Sequence, residues 1–146
     1  MKTPSQIAMT SDHAGYEMKQ QLRKHLESKG IKVIDIGTYR PDAVDYPDYG
    51  HQLGEKIGKG EYPMGISICG TGNGINMTTN KHTGVRGAIC WSGEIAEMAR
   101  KHNDANICSL AARYTDLDLA KHIVDIFVST GFEGGRHERR IRKIDL

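Results

Sequence analysis

A chain of 146 residues has the length of one domain and can bury a hydrophobic core of its own. With 38% apolar and 26% charged residues it has the make-up of a globular protein in water, and no apolar run approaches the roughly 20 residues of a membrane span. A net charge of +2 gives no bulk electrostatic reason to expect nucleic acid, so neither nucleic acid nor membrane is an expected partner.

Five short apolar runs alternate with amphipathic segments. The first run, 6–9, leads into Ser11-Asp12-His13-Ala14-Gly15. Residues 16–29 follow as a predicted helix, with Met18, Leu22 and Leu26 in an i, i+4, i+8 stripe and Gly30 where a left-handed C′ residue is wanted. The second run, 32–36, opens onto the loop-like stretch 37–47, which ends in Asp45-Tyr46-Pro47; a helix over 49–58 then carries Leu53 and Ile57 on one face. The third run, 65–68, reads as a buried parallel strand and feeds Cys69-Gly70-Thr71-Gly72-Asn73-Gly74-Ile75, after which 76–81 can open a helix. The fourth run, 86–89, precedes a helix over 93–101 with Ile95, Met98 and Ala99 on its apolar side, and then His102-Asn103-Asp104. After the fifth run, 106–110, comes the clearest helix, 115–130. Thr115 and Asp118 have N-cap spacing, Leu119, Ile123, Val124, Phe127 and Val128 make the stripe, and Gly131 ends it. Residues 131–135 separate this core from a basic tail at about 136–146, expected as a helix.

This alternation predicts βαβ units, a parallel sheet and right-handed crossovers. No internal repeat, low-complexity segment or linker divides the chain, so 1–146 is expected to be a single domain. Three cysteines, an odd number without a CxxC pair, suit free thiols in a reducing compartment, and Met1-Lys2-Thr3-Pro4-Ser5 lacks a secretory apolar segment; a cytoplasmic location is expected.

In an open α/β sheet, ligands bind outside the carboxyl ends of the strands. Four polar stretches are expected to face one cleft there: 11–15, 45–47, 69–72 and 102–104. A strand feeding a glycine-rich turn and then a helix aims several backbone N–H groups at one spot, which suits phosphate or a developing oxyanion. The dinucleotide fingerprint fails, because Gly70, Gly72 and Gly74 are followed by Ile75 where a third packing glycine would be, and Ile89-Cys90-Trp91 offers no acidic ribose partner. No Gly-Lys-Ser/Thr follows the glycines either, so no phosphate-binding loop of that type is present. The seven histidines are scattered, without HExxH or paired cysteines; Asp12-His13 or His102 with Asp104 has no specific metal spacing, and no metal or cofactor is expected. His25, His51, His82 and His122 read as structural, and Cys90 and Cys108 as small buried hydrophobes. Cys69 differs, since a helix start beside it favours the thiolate. Two uses stay open on these residues. Cys69 can act as a nucleophile paired with His102, or it can take a proton beside a carbonyl while the amides of the turn hold the enediolate.

The stretches 11–15, 45–47, 69–72 and 102–104, with Gly134-Gly135-Arg136-His137, lie in the order and spacing of the type B ribose-5-phosphate isomerases, which the chain resembles over nearly its whole length. That family also holds galactose-6-phosphate and some hexose-6-phosphate isomerases. The resemblance implies an α/β, Rossmann-like three-layer sandwich with a five-stranded parallel sheet and no dinucleotide site. It implies metal-free aldose–ketose isomerisation of a sugar phosphate in a homodimer or homotetramer, with the active site at the subunit interface. By the same resemblance Cys69 is the base between C1 and C2, where some members use a glutamate at the place of Asn73. Gly70, Thr71, Gly72, Asn73 and Gly74 stabilise the enediolate; His102 opens the furanose ring, assisted by Asp12 and Thr71; Asn103 contacts sugar hydroxyls. His13, Arg113, Arg136 and Arg140 clamp the phosphate, and Tyr46 lines the cleft. Arg139, Arg142 and Lys143 remain solvated charge. Ribose 5-phosphate is the expected substrate, placing the chain in pentose phosphate metabolism. The alternatives are a six-carbon sugar phosphate of the allose or galactose type, a non-catalytic phosphosugar-binding protein, and a cysteine hydrolase on the same fold.

Overall fold

The computed structural model describes residues 3–146. Five strands, β1 (Gln6–Ser11), β2 (Lys32–Asp35), β3 (Gly65–Cys69), β4 (Gly87–Ile89) and β5 (Ile107–Ala111), form one all-parallel sheet in the order β2-β1-β3-β5-β4. The helices are α1 (Tyr16–Ser28), α2 (Tyr46–Gly58), α3 (Asn73–Thr79), α4 (Gly93–Asn103), α5 (Leu117–Ser129) and α6 (Arg136–Ile141). Among the described residues no helix is long and apolar enough to cross a membrane.

Side chains alternate across the sheet, as the two-residue period of a strand requires. Ile7, Met9, Ile66, Ile68, Cys108 and Leu110 belong to one apolar layer with Leu22 and Leu26 of α1, Ala96 of α4, and Ile123, Val124 and Phe127 of α5. The layer beneath α2 and α3 is thinner and more polar. Ala8 and Ile107 meet Leu53 and Ile57, while Ser67 Oγ and Ser109 Oγ lie 2.7 Å apart and Ser109 donates to Asn76 Oδ1 at 3.0 Å. The result is an α/β three-layer sandwich of Rossmann-like form.

Several predicted boundaries shift, each for a local reason. α2 starts at Tyr46 rather than 49, because Pro47 falls in the first turn, where its missing N–H costs nothing. α3 starts at Asn73 rather than 76 and so takes in part of the glycine-rich turn. α5 starts at Leu117, capped by Asp116, whose carboxylate accepts from Leu119 N–H at 2.8 Å; the Thr115–Asp118 cap does not form. Gly30 does adopt the left-handed conformation after α1, at φ 83°. The basic tail is helical only over Arg136–Ile141.

Two topological facts position the chemistry. First, β1 is followed by its neighbour on one side, β2, and flanked by β3 on the other. Connections leave this boundary in opposite directions, so α1 and α3 pack on opposite faces and a crevice opens between the carboxyl ends of β1 and β3. Second, a crossover helix runs antiparallel to the strands it joins. α4 begins beyond the carboxyl end of β4 and finishes at the amino end of β5.

Candidate active site

At the carboxyl end, three adjacent strands bring their terminal residues together. Ser11 pairs with Ile68, and Asp12 N–H donates to Ile68 carbonyl at 3.2 Å, so Asp12 stands beside Cys69 one strand spacing away. On the other side Cys69 pairs with Ala111, and Arg113 N–H donates to Gly70 carbonyl at 3.0 Å. The Cys69 thiol is free and almost fully buried at the floor of the crevice.

The glycines of the turn have distinct uses. Gly72 sits at φ 77°, the left-handed conformation that turns the chain from β3 into α3. Gly70 and Gly74 allow close approach. A Cβ on Gly70 would stand 2.9 Å from the Arg113 guanidinium, and one on Gly74 2.5 Å from the Tyr46 ring. Arg113 and Tyr46 therefore lie directly against the turn. Asn73 N–H is partly occupied by Thr71 Oγ1 at 3.2 Å, but the N–H groups of Thr71, Gly72 and Gly74 donate to nothing among the described residues. They form a cradle of open donors next to a thiol.

His13 and Asp12 are fixed by backbone contacts. Val44 N–H donates to His13 Nδ1 at 3.2 Å, which leaves the proton on Nε2 as an outward donor. Gly15 N–H donates to Asp12 Oδ1 at 3.1 Å, so one carboxylate oxygen holds the entry to α1 and the other remains available. Behind them Lys19, wholly buried, donates to Asp35 and to Thr38 carbonyl at 2.7 Å. Thr38 N–H in turn donates to Ser11 carbonyl and Ser11 N–H to Gly37 carbonyl, both at 2.8 Å, bracing the end of β1. Burial holds the Lys19 ammonium below its usual pKa range, against the pull of Asp35. A cleft of about 520 Å³ lies beside His13, lined by Val44, Asp45, Asp48, Tyr49 and Gln52.

The remaining predicted site residues stand at the other end of the sheet. His102 and Asn103 close α4, and Glu133 N–H donates to Lys101 carbonyl at 3.0 Å, drawing α6 alongside. Arg100, buried, reaches Thr130 carbonyl at 2.9 Å, Asp104 at 2.9 Å and Ala105 carbonyl at 2.6 Å, tying the ends of α4 and α5 together. The rings of His102 and His137 stack 4.4 Å apart at an interplanar angle of 15°. Arg136 and Arg140 are exposed on α6, four residues apart. β3 alone, five residues long, spans roughly 13 Å at 3.3 Å per residue, and His102 lies beyond its amino end. The expectation that 102–104 shares one cleft with 11–15, 45–47 and 69–72 therefore fails within a single chain. The larger cavity of about 620 Å³, bordered by Pro4, Met64, Arg86 and Asp104, also opens at this amino end, away from Cys69.

His137 is the residue the sequence reading left without a task. It is buried, and its Nε2 has no hydrogen-bond partner among the described residues. Burial, with Arg136 and His102 nearby, holds it below the usual imidazole range. The available signal was its spacing: His137 and Ile141 share the inward side of α6, while Arg136 and Arg140 take the outward one. His25, His51, His82 and His122 make contacts away from the candidate site. His25 pairs with Asp125 at 2.8 Å, His51 with His82 at 2.8 Å, and His122 packs on the start of α4. The Cys108 thiol is pushed well above its usual range by its hydrogen bond with Cys90 and by burial, which disfavours its thiolate.

Known proteins share this arrangement. Residues 7–144 match the family model described as Ribose/Galactose Isomerase. The chain is 41% identical over 138 residues to ribose-5-phosphate isomerase B of Escherichia coli, covering 94% of this chain and 93% of that one. A crystal structure of a ribose 5-phosphate isomerase from Thermotoga maritima superposes with a TM-score of 0.94 at 48% identity, covering 97% of each chain. The Mycoplasma genitalium ribose-5-phosphate isomerase B, solved with bound ribulose-5-phosphate, superposes with a TM-score of 0.92 at 41% identity, over 95% of this chain and 93% of that one. By sequence and by fold, this chain belongs to the ribose/galactose isomerase family.

Proposed function

We propose that this isomerase interconverts ribose 5-phosphate and ribulose 5-phosphate through an enediolate, with Cys69 as the base. We further propose that it works as a homodimer or homotetramer, each active site combining the carboxyl end of one sheet with the amino end of another. The observation that carries the reading is a buried thiol beside a turn of unpaired backbone amides, in a chain of this family.

The furanose opens first. His102 gives a proton to the ring oxygen as its bond to C1 breaks, and Asp12, assisted by Thr71, takes the proton of the C1 hydroxyl as the aldehyde forms. The Cys69 thiolate then removes the C2 proton. Its electron pair becomes the C1–C2 double bond, and the carbonyl electrons move onto O1. The amides of the 70–74 turn hold that oxygen where the charge develops. The thiol returns its proton to C1, the proton on O2 passes to O1, and the ketose results. Asn103 contacts the hydroxyls and Tyr46 walls the cleft. The phosphate is held by the His13 Nε2–H and by Arg113, Arg136 and Arg140.

Two chains are needed on this reading because a pentose phosphate is shorter than the gap between the two ends of one sheet. The test is turnover of ribose 5-phosphate against allose and galactose 6-phosphates, with deuterium from solvent followed at C1 of the ketose. Ribulose 5-phosphate is expected, with solvent deuterium at C1 to the extent that the Cys69 thiol exchanges before it returns the proton. Preference for a six-carbon phosphate overturns the substrate, and full-rate transfer of the C2 hydrogen in Cys69→Ala overturns the proton-transfer route.

A further inference from the structure

At the amino end of the sheet, His102, Glu133 and His137 each bring one possible ligand atom within 4.8 Å of the others. His137 Nε2 lies 3.8 Å from Glu133 Oε1, too far for a hydrogen bond. It is the buried nitrogen that has no partner among the described residues. Two donors on one zinc ion, with bonds of about 2.0–2.2 Å in tetrahedral geometry, stand roughly 3.3–3.5 Å apart. The observed gap is close to that span.

We infer that His102, Glu133 and His137 form a binding site for a zinc-class divalent cation, and that occupancy inhibits the enzyme by taking His102 away from the sugar ring. The inhibitory half rests on the ring-opening role proposed for His102; the binding half does not.

Two imidazoles and a carboxylate are a donor set for such an ion. The same carboxylate opposes the rival occupant, since Glu133 would repel a phosphate oxygen placed against the His137 nitrogen. Arg136 and Arg140 also oppose a second cation, which makes the site one of moderate affinity rather than a permanent metal centre. Closure needs two movements. Glu133 is exposed on the glycine-rich 131–135 approach and can move inward. The rings of His102 and His137 lie nearly parallel, so in the proposed site the half-buried His102, on the last turn of α4, turns out of the stack to reach the shared ion. That rotation removes it from the position in which it would protonate a sugar.

Cobalt(II) is the probe, because its visible bands report coordination number and ligand type without any need for turnover. Chelator-treated wild-type protein is expected to bind one Co²⁺ per chain with tetrahedral-type visible absorption, displaced by Zn²⁺ and without the near-ultraviolet band of a thiolate ligand. Glu133→Gln and His137→Ala should each weaken binding by at least the roughly 10–100-fold that losing a supporting hydrogen bond costs at metal sites. Cys69→Ala should bind as wild type does. Absence of stoichiometric binding, affinity unchanged in both variants, or a thiolate band lost in Cys69→Ala would each overturn the site. For the second half, Zn²⁺ should inhibit turnover of the cyclic sugar reversibly, and Glu133→Gln, active in metal-free buffer, should resist it by a similar factor. Cobalt binding with uninhibited turnover would keep the site and overturn the inhibition.

Discussion

On the proposed reading, the carboxyl and amino ends of this sheet hold two different halves of one isomerase site. At the carboxyl end Cys69 closes β3 while Asp12 and Arg113 follow the ends of its neighbours β1 and β5, and the parallel ladder sets their spacing. The end is recessed, with a buried thiol and an amide cradle. At the amino end His102, Asn103, Arg136 and Arg140 are half-buried or exposed. They are held by longer-range ties: Arg100 to the end of α5, and Glu133 to the last turn of α4. In the proposed reaction the first half moves a proton on carbon and lacks a ring opener, while the second opens the ring and grips the phosphate and lacks a base. Each proposed half is incomplete in a way the other corrects, and a second copy of the chain is the economical way to join them.

The largest effect should come from breaking the carboxyl half at its base. Cys69→Ala is expected to abolish turnover while leaving thermal unfolding and substrate binding near wild type, because removing one sulfur from the crevice floor leaves the amide cradle and the phosphate contacts in place. Cys90→Ala and Cys108→Ala should retain activity, at some cost in stability, since both thiols are buried in the apolar layer. Near-normal turnover by Cys69→Ala would move the base elsewhere.

Next in size is the amino half. His102→Ala should lower turnover of the cyclic sugar by about 10²–10⁴-fold, the usual worth of a general acid, and should scarcely alter turnover of a pre-opened analogue. His13→Ala, which removes a proposed phosphate contact from the other half, should mainly raise KM for both. Stopped-flow comparison of the cyclic and acyclic substrates separates the two; equal losses on both for His102→Ala would remove its ring-opening role.

The two halves also differ in how much of them could be read from the chain alone. Alternating apolar runs and amphipathic segments revealed five parallel strands, and the spacing around Cys69 revealed a cradle, because both depend on residues close in sequence. Placing 102–104 was an error of direction. A crossover helix returns antiparallel to its strands, so the end of α4 had to arrive at the amino end of β5. That inference needed only topology. The stacking of His137 on His102 was not accessible in this way. It depends on where a glycine-rich approach deposits α6, and this is decided by Glu133 N–H and Lys101 carbonyl, which are far apart in sequence. The burial of Lys19 was equally hidden, since its partners are Asp35 and a carbonyl in the following loop.

A smaller effect tests whether the halves meet across two chains. If the proposed clamp is right, Arg136→Ala or Arg140→Ala alone removes one charge-assisted hydrogen bond to the phosphate, worth roughly 1.5–3 kcal/mol. That is about 10–150-fold in phosphosugar affinity, with less effect on an unphosphorylated sugar. Arg142→Ala should change little, because its guanidinium is exposed and pairs with Glu138 on the solvent side of α6. Mixing inactive Cys69→Ala with an inactive Arg136→Ala, Arg140→Ala double variant should restore activity after subunit exchange. A mixed dimer then holds one site with both an intact base and an intact pair of arginines. No recovery after demonstrated exchange would return base and arginines to one chain.

The smallest expected effect is none. In the proposed reaction the enediolate oxygen is stabilised by the N–H groups of Thr71, Gly72 and Gly74, so no Lewis acid is required at that oxygen. Prolonged chelation should leave kcat and KM for ribose 5-phosphate unchanged. The control matters as much as the result, because the two ends of the sheet respond to metal differently. Added Zn²⁺ should act at the amino end, through His102, and chelator should reverse it; nothing comparable is expected at the Cys69 cradle. A rate that fell on chelation and returned with a divalent ion would place an electrophile at the carboxyl end, and the amides there would become supports for it rather than the stabilising groups themselves.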